Sequence, residues 1–339
     1  MNQSLSFDYF YNIAYHEKKP VSAMIELLTQ CNLRCQHCYI PSHTNQGLDF
    51  EKIEDILYEL RSMGVLTLTL TGGEIFLHPH IMEIIALARK LHMRVFLLSN
   101  GTLLNEEIVK SLAEMHISEF STTMFSLDPK VHDFITCQQG SLDMLLENLQ
   151  LLKKYNITVK VKTPLLDVNA FAYREIKEYC KENGFLFMTS PIIFSKTDGD
   201  DSPVKLRVSD DKLCEVLKET DEADRKGKER LYRYDYPCAA LFYTISIDAK
   251  GDVYPCSSLR YKIGNVFENT LTDIWNNSQG LKLIQSIKNT DLKECAECEY
   301  RDFCDRCPGI VFSETGTLTS CEPFTKLLAK IRASNYLSI

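Results

Sequence analysis

Apolar residues follow two rhythms along residues 21–193 of this chain, and the rhythms alternate. VSAMIELLT (21–29), VLTLTLT (65–71), MRVFLLS (93–99), ISEFSTTMF (117–125), ITVKVKTPLL (157–166) and FLFMTSPII (185–193) are short apolar runs or period-two alternations, the pattern of strands. Between them, apolar residues recur three and four apart. In DFEKIEDILYELRSMG these are Ile53, Ile56, Leu57, Leu60 and Met63, with Asp49 placed to cap a helix and Gly64 to stop it. PHIMEIIALARKLH, with Pro79 near its first turn, NEEIVKSLAEMH, SLDMLLENLQLLKKYN and AFAYREIKEYCKENG repeat the spacing. Strand–helix alternation predicts a parallel sheet with crossover helices, either open or closed partly into a barrel. In both forms chemistry gathers beyond the C-terminal strand ends. That rim would carry residues 30–46 after the first strand, TGGE (71–74) after the second and SNGT (99–102) after the third.

The rhythm then changes. SKTDGDDSPVKL (195–206) is polar and turn-rich and reads as the exit from a unit spanning 21–206, followed by a charged, helix-bearing bridge at 207–235. LFYTISIDAKGDVYPC reads as a hairpin turning at Lys250–Gly251, and TLTDIWNNSQGLKLIQSI as a short helical piece. Residues 291–321 are dense in cysteine and lack periodicity, so 236–339 reads as a small unit stapled by metal, ending in a helix. The segment 1–20 precedes the first strand; its Phe7, Tyr9, Phe10, Tyr11 and Tyr15 are expected to cap the barrel.

Composition narrows the function. With 45% hydrophobic and 25% charged residues the chain reads as globular. A net charge of −8 and no long basic run argue against a general nucleic-acid binder. Neither a signal-peptide pattern nor a window of ~18 apolar residues occurs, so the expected location is cytoplasmic, with no membrane partner. In that reducing compartment, 13 cysteines point to metal sites or reactive thiols before disulfides.

Cys31, Cys35 and Cys38 stand as C-x3-C-x2-C on one short loop. Three thiolates can bind three irons of a [4Fe–4S] cube and leave the fourth open, whereas closed clusters take four. A zinc site completed by His37 or His43 competes, although zinc loops usually pair cysteines as C-x2-C. A second group comprises Cys238, Cys256, Cys295, Cys298, Cys304, Cys307 and Cys321. Taken alone, Cys295, Cys298, Cys304 and Cys307 could equally form a zinc ribbon. Cys180 and Cys214 lie in helical patterns and read as small apolar residues.

CNLRCQHC, TGGE and SNGT, in that order, resemble the motifs of the radical S-adenosylmethionine (SAM) superfamily, with His37 at the usually aromatic position before the third cysteine. The resemblance covers about residues 21–195 and implies a partial (β/α)6, TIM-like barrel. GDVYPC, IGNVFENTLTDIW and C-x2-C-x5-C resemble the SPASM extension over residues 236–325, a small cysteine-rich C-terminal domain with auxiliary clusters. By resemblance, Cys31, Cys35 and Cys38 hold the radical SAM [4Fe–4S] cluster. Two auxiliary [4Fe–4S] clusters are implied, one on Cys238, Cys256 and Cys307, the other on Cys295, Cys298, Cys304 and Cys321. The last pair is C-x2-C where relatives mostly have C-x3-C. Gly72 and Gly73 would let the backbone approach SAM, and with Glu74 hold its amino group. Ser99 and Asn100 could meet its ribose or carboxylate, and Thr123 stands where relatives often carry a SAM-contacting serine. Lys162 could reach inward from the fifth strand.

The resemblance implies an oxidoreductase that cleaves SAM reductively to a 5′-deoxyadenosyl radical, which abstracts hydrogen from a peptide or protein substrate. It favours thioether or carbon–carbon crosslinking of a ribosomally made peptide, with a reductant such as flavodoxin or ferredoxin and a separate leader-binding protein as candidate partners. A peptide epimerase would need a hydrogen-atom donor, for which Cys137 stands in a place where relatives commonly carry glycine. A sulfatase-type maturase fits less well, because Ser257 follows Cys256 where those enzymes carry aspartate. A small-molecule or cofactor pathway is a further alternative. Outside enzymes, an iron–sulfur electron carrier or a zinc-stapled binding module competes.

Overall fold

The first five strands each bury one side chain row against helices and turn the other inward, and a sixth, with Leu186 and Met188 exposed, closes the edge. In the computed structural model, which describes residues 7–220 and 235–337, they are β1 (Ser22–Glu26), β2 (Thr67–Thr71), β3 (Arg94–Leu98), β4 (Glu119–Thr123), β5 (Val159–Pro164) and β6 (Leu186–Ser190). All pair in parallel in sequence order, which forms the partial barrel. Ala23, Ile25, Leu68, Leu70, Val95, Leu97, Phe120, Val159 and Val161 are buried on the outer side. Side chains alternate along a strand, so Glu26, Thr71, Leu98, Ser121, Thr123 and Lys162 belong to the opposite, inward row near the C-terminal ends.

The helices that cover this sheet are α1 (Phe7–Glu17), α2 (Phe50–Met63), α3 (Ile81–Lys90), α4 (Glu106–Glu114), α5 (Pro129–Thr136), α6 (Ser141–Lys154), α7 (Tyr173–Asn183) and α8 (Asp210–Thr220). α2 starts and stops where its sequence signals lie: the Asp49 carboxylate accepts from Lys52 N at 2.8 Å, and Gly64 closes the helix at φ 103°. Pro79 falls outside α3, whose capping residue is His80. α5 had no periodic signature in the sequence; Asp128 caps it and Pro129 opens it.

The remaining elements are β7 (Thr244–Ile247), β8 (Asp252–Tyr254), β9 (Gly264–Asn265), α9 (Leu271–Asn277), α10 (Gln279–Ser286), α11 (Lys293–Ala296), α12 (Pro308–Thr315) and α13 (Pro323–Leu337). β7 and β8 form the expected hairpin, with Gly251 at φ 81°. β7 also pairs in parallel with β1, giving one sheet of order β6-β5-β4-β3-β2-β1-β7-β8-β9. Leu241, Ile245, Val253, Leu271 and Ile284 accordingly share the core of the barrel. Of the bridge, α8 packs on α13 through Leu213, Val216, Leu217, Leu328 and Ile331, while 221–234 lie outside the described residues. The aromatic α1 packs on the segment before β7: the Tyr11 ring meets Tyr243 at 5.1 Å and Tyr15 meets Phe242 at 5.0 Å. No helix among the described residues is long and apolar enough to cross a membrane.

Candidate active site and cysteine centres

Cys31, Cys35 and Cys38 lie half-buried on the loop after β1 and line one cavity at the barrel mouth. The loop is held from outside by the end of α5. Arg34 N donates to Thr136 O at 3.1 Å, Gln36 N to Ile135 O at 2.9 Å and Gln36 Nε2 to Phe134 O at 2.7 Å. From inside it is held by the loop after β3: Asn100 Nδ2 donates to Asn32 Oδ1 at 2.8 Å, and Asn32 Nδ2 to Thr102 Oγ1 at 2.8 Å. These anchors fix the loop without using a thiol.

The structure gives the expected ligand residues partners within the protein. Glu74 is fully buried, and its carboxylate accepts from Ser99 Oγ at 2.8 Å, Asn100 N at 2.8 Å and Phe76 N at 3.0 Å. It clamps the loops after β2 and β3 together, behind the cavity wall. Burial pushes its carboxyl up, and the amide and hydroxyl donors pull it back. Ser99 spends its hydrogen on Glu74 and accepts from Gly101 N at 3.0 Å, while Asn100 Oδ1 accepts from Thr102 N at 2.9 Å. Both side chains line the cavity, yet both serve loop positioning before ribose or carboxylate binding. Gly72 and Gly73 also line it, but protein backbone already explains them. A Cβ on Gly73 would lie 2.2 Å from Gln30 O, and one on Gly72, at φ 144°, 2.4 Å from Leu28 O.

Thr123 and Lys162 meet the cavity as neighbours in register. Lys160 pairs with Glu119 at 2.7 Å, whereas no hydrogen bond or ion pair is made by the Lys162 amine. Burial, then Lys160, lowers the Lys162 amine; Glu119 raises it. His37 packs edge-on against Phe125 at 4.9 Å, and its buried Nδ1 has no partner. Burial holds its imidazole down at about 4, so the ring is neutral near pH 7. His43 Nε2 lies 3.5 Å from Cys38 Sγ.

Cys137 is exposed at the C-terminal cap of α5, outside the cavity wall. Its φ of 55° accounts for the glycine that this place attracts. Cys180 is buried and Cys214 exposed.

The second cysteine group divides in two. Cys238, Cys256 and Cys307 line a cavity whose far wall includes Met24 and Thr69, on the inward rows of β1 and β2. Cys295, Cys298, Cys304 and Cys321 line another, between α11 and the start of α13. Cys304 and Cys307, two intervening residues apart, thus face different cavities, which removes the ribbon of Cys295, Cys298, Cys304 and Cys307. Among the described residues no three His, Cys, Asp or Glu groups close on a single ion. Burial, reinforced by neighbouring thiols, pushes Cys256 and Cys304 up to about 12, so a bound metal cation is what would hold these two as thiolates at neutral pH.

The residues fit the cofactors implied. Three sets of three, three and four thiols each share a cavity wall. The first adjoins an unpaired ammonium and an unpaired imidazole nitrogen, partners for a ligand with a carboxylate and a polar heterocycle. In the four-thiol cavity, Arg306 Nε and Nη1 are buried without a partner, as an anionic group would require.

Sequence reasoning missed a strut between the cysteine loops. Glu26 ends β1 and accepts from Tyr39 OH at 2.8 Å and from both terminal nitrogens of Arg260. Tyr39 follows Cys38, and Arg260 lies four residues beyond Cys256. No local spacing rule pairs residues 234 apart, so only the β1–β7 contact reveals it.

Comparison with known proteins agrees with this geometry. The family described as Radical SAM superfamily matches residues 25–181, and SPASM, described as an iron-sulfur cluster-binding domain, matches 238–299. The antilisterial bacteriocin subtilosin biosynthesis protein AlbA of Bacillus subtilis is 27% identical over 306 residues, covering 85% of this chain and 67% of AlbA. An AdoMet-dependent heme synthase of Methanosarcina barkeri is 24% identical, covering 88% of this chain and 94% of the synthase. Streptococcus suis SuiB, solved bound to the precursor peptide SuiA, superposes with a TM-score of 0.73 at 16% identity, over 94% of this chain and 79% of SuiB. The chain belongs to the radical SAM superfamily and is an enzyme of its SPASM-bearing branch, with SAM and [4Fe–4S] clusters as cofactors.

Proposed function

We propose that this enzyme matures a ribosomally made peptide by installing a thioether or carbon–carbon crosslink. The similarity to AlbA over 85% of the chain carries this reading. Bound at the barrel mouth, a [4Fe–4S] cluster and SAM would supply the radical chemistry of hydrogen abstraction, and the chain's own residues would hold and shield them. Cys31, Cys35 and Cys38 hold the cluster. The Lys162 ammonium and Thr123 hydroxyl take SAM's carboxylate, and His37 offers its unpaired Nδ1 to the purine. Leu33, Leu98 and Phe125 form an apolar wall that keeps water from the reacting carbon. Cys238, Cys256 and Cys307 hold one auxiliary cluster, and Cys295, Cys298, Cys304 and Cys321 the other. A flavodoxin- or ferredoxin-type reductant and a separate leader-binding protein complete the system.

The test is anaerobic incubation of reconstituted enzyme, SAM and reductant with any short cysteine-bearing peptide that a neighbouring reading frame encodes. The expected product is lighter by two hydrogen atoms and carries a new crosslink in its fragment spectrum. A second reading, synthesis of a small tetrapyrrole, is favoured by the heme synthase, which this chain covers over 94% of its length. Turnover of a haem precursor with the peptide left intact would select it.

Lys162 gives a sharper check on SAM binding. Lys162→Met should weaken SAM affinity by roughly 10- to 100-fold, the value of one hydrogen-bonded charge in a sheltered site. Iron content should stay at the wild-type level, and Lys162→Arg should recover most of the affinity. Equal SAM affinity in wild type and Lys162→Met, measured by anaerobic calorimetry, would remove Lys162 from the site.

A further inference from the structure

Arg306 sits within CDRC (304–307), the segment one residue shorter than is usual for the family it resembles. Its Nη2 is anchored to two carbonyls, Leu318 O at 2.6 Å and Ser320 O at 3.2 Å. Those bonds fix the plane of the guanidinium. Nε and Nη1 remain, buried and without a partner. A buried guanidinium with unmet donors is costly, and the cost persists only where a negative group answers it.

The surroundings say which group that is. Arg306 lines the cavity of Cys295, Cys298, Cys304 and Cys321, and Arg301 and Lys326 line it too. Glu322 is the one carboxylate in that wall, and it faces away. Its oxygens accept from Phe324 N at 2.5 Å, Thr325 N at 2.7 Å and Thr325 Oγ1 at 2.7 Å, capping α13. Outside the wall, Asp305 pairs with Arg332 at 3.1 Å and Glu294 accepts from Cys321 N at 3.3 Å, so the negative charge within the cavity is that of the four cysteine sulfurs and whatever they bind.

We infer that Arg306 is a positioning residue that raises the reduction potential of the cluster on Cys295, Cys298, Cys304 and Cys321, by aiming Nε–H and Nη1–H at its sulfur face. Reduction adds one electron and one unit of negative charge to the cluster. A fixed positive charge with two N–H donors stabilises the reduced form more than the oxidised form. The cavity of Cys238, Cys256 and Cys307 lacks Arg306 and has no charged side chain in its wall, so the effect falls on one auxiliary site alone. The inference rests on the cluster assignment proposed above.

The test is an EPR-monitored redox titration of full-length, anaerobically reconstituted protein. Cys31, Cys35 and Cys38 are replaced by alanine so that only the auxiliary sites titrate. In Arg306→Gln, one auxiliary midpoint should fall by the equivalent of at least tenfold in the oxidised-to-reduced ratio, about 59 mV for a one-electron couple. The other midpoint should stay in place. Arg306→Lys, which keeps the charge and loses the fork, should fall in between. If Arg306→Gln takes up less iron, Arg306→Lys at full iron content decides alone, by a drop in one midpoint or its constancy. Unchanged midpoints at full iron, or equal shifts at both sites, would overturn the inference. An absence of iron at the four-cysteine site in the wild type would overturn the cluster assignment itself, and that result appears in the metal analysis before any titration.

Discussion

Replacing Cys31, Cys35 and Cys38 together by alanine should reduce 5′-deoxyadenosine formation at least on the order of 100-fold, to the background of the assay, while the protein stays folded. The magnitude is a lower bound, because even loss of a group that merely supports a metal ligand costs 10- to 100-fold. Folding is expected to survive because the thiols add only long sulfur contacts, such as Cys38 Sγ to His43 Nε2 at 3.5 Å, to a loop held by other bonds. Its hydrogen bonds run from Arg34 and Gln36 to the end of α5 and from Asn32 to Asn100 and Thr102, and all of these persist in the variant. The seven cysteines of the two other cavities should keep their iron, so the brown colour should fall but not vanish. Chromatographic assay for 5′-deoxyadenosine under dithionite, beside iron and sulfide analysis, checks both halves. Wild-type cleavage in the variant would end the assignment of this loop.

Glu74→Ala should destabilise the chain by about 3–5 kcal/mol, the cost of removing one partner from a buried charged network. The substitution leaves the Ser99 hydroxyl and the Asn100 and Phe76 amides without their acceptor around a fully buried position. Glu74→Gln keeps the shape but turns an amide towards those donors, and should cost less, about 2 kcal/mol. Chemical denaturation followed by fluorescence of Trp275, the chain's single tryptophan, reads this directly. A denaturation midpoint for Glu74→Ala equal to wild type, with SAM affinity lost, would support the ligand role first expected for this carboxylate.

The six parallel strands and their crossover helices were legible because burial writes itself into period and spacing. TLTLT encodes one row of leucines against the helices and one row of threonines inward, and both rows appear in the structure. Asp49 and Gly64 were legible because a cap is a local hydrogen bond and a left-handed residue a local need. α5 was not, since its eight residues carry too few turns to show a stripe. Its place could have been found from the Asp128–Pro129 start alone. The division of the late cysteines came from the family resemblance, since their spacing alone left a ribbon of Cys295, Cys298, Cys304 and Cys307 equally open, and the work done by Glu74, Ser99 and Asn100 was not legible at all. A motif says which residues gather at a strand end, and it is silent on whether they face the ligand or one another. The Glu26–Arg260 pair lay further from reach, because it depends on β7 settling beside β1.

That settlement has a consequence for how the molecule can be divided. In the whole chain, Ser22–Ile25 of β1 are paired on both flanks, by β2 and by β7. A fragment ending before residue 236 would strip one flank and leave a row of bare peptide groups beside an apolar strand, an invitation to aggregate. The C-terminal third therefore acts as a permanent hem on the catalytic sheet, and excising it to simplify the enzyme would sacrifice solubility together with the seven cysteines of the other two cavities.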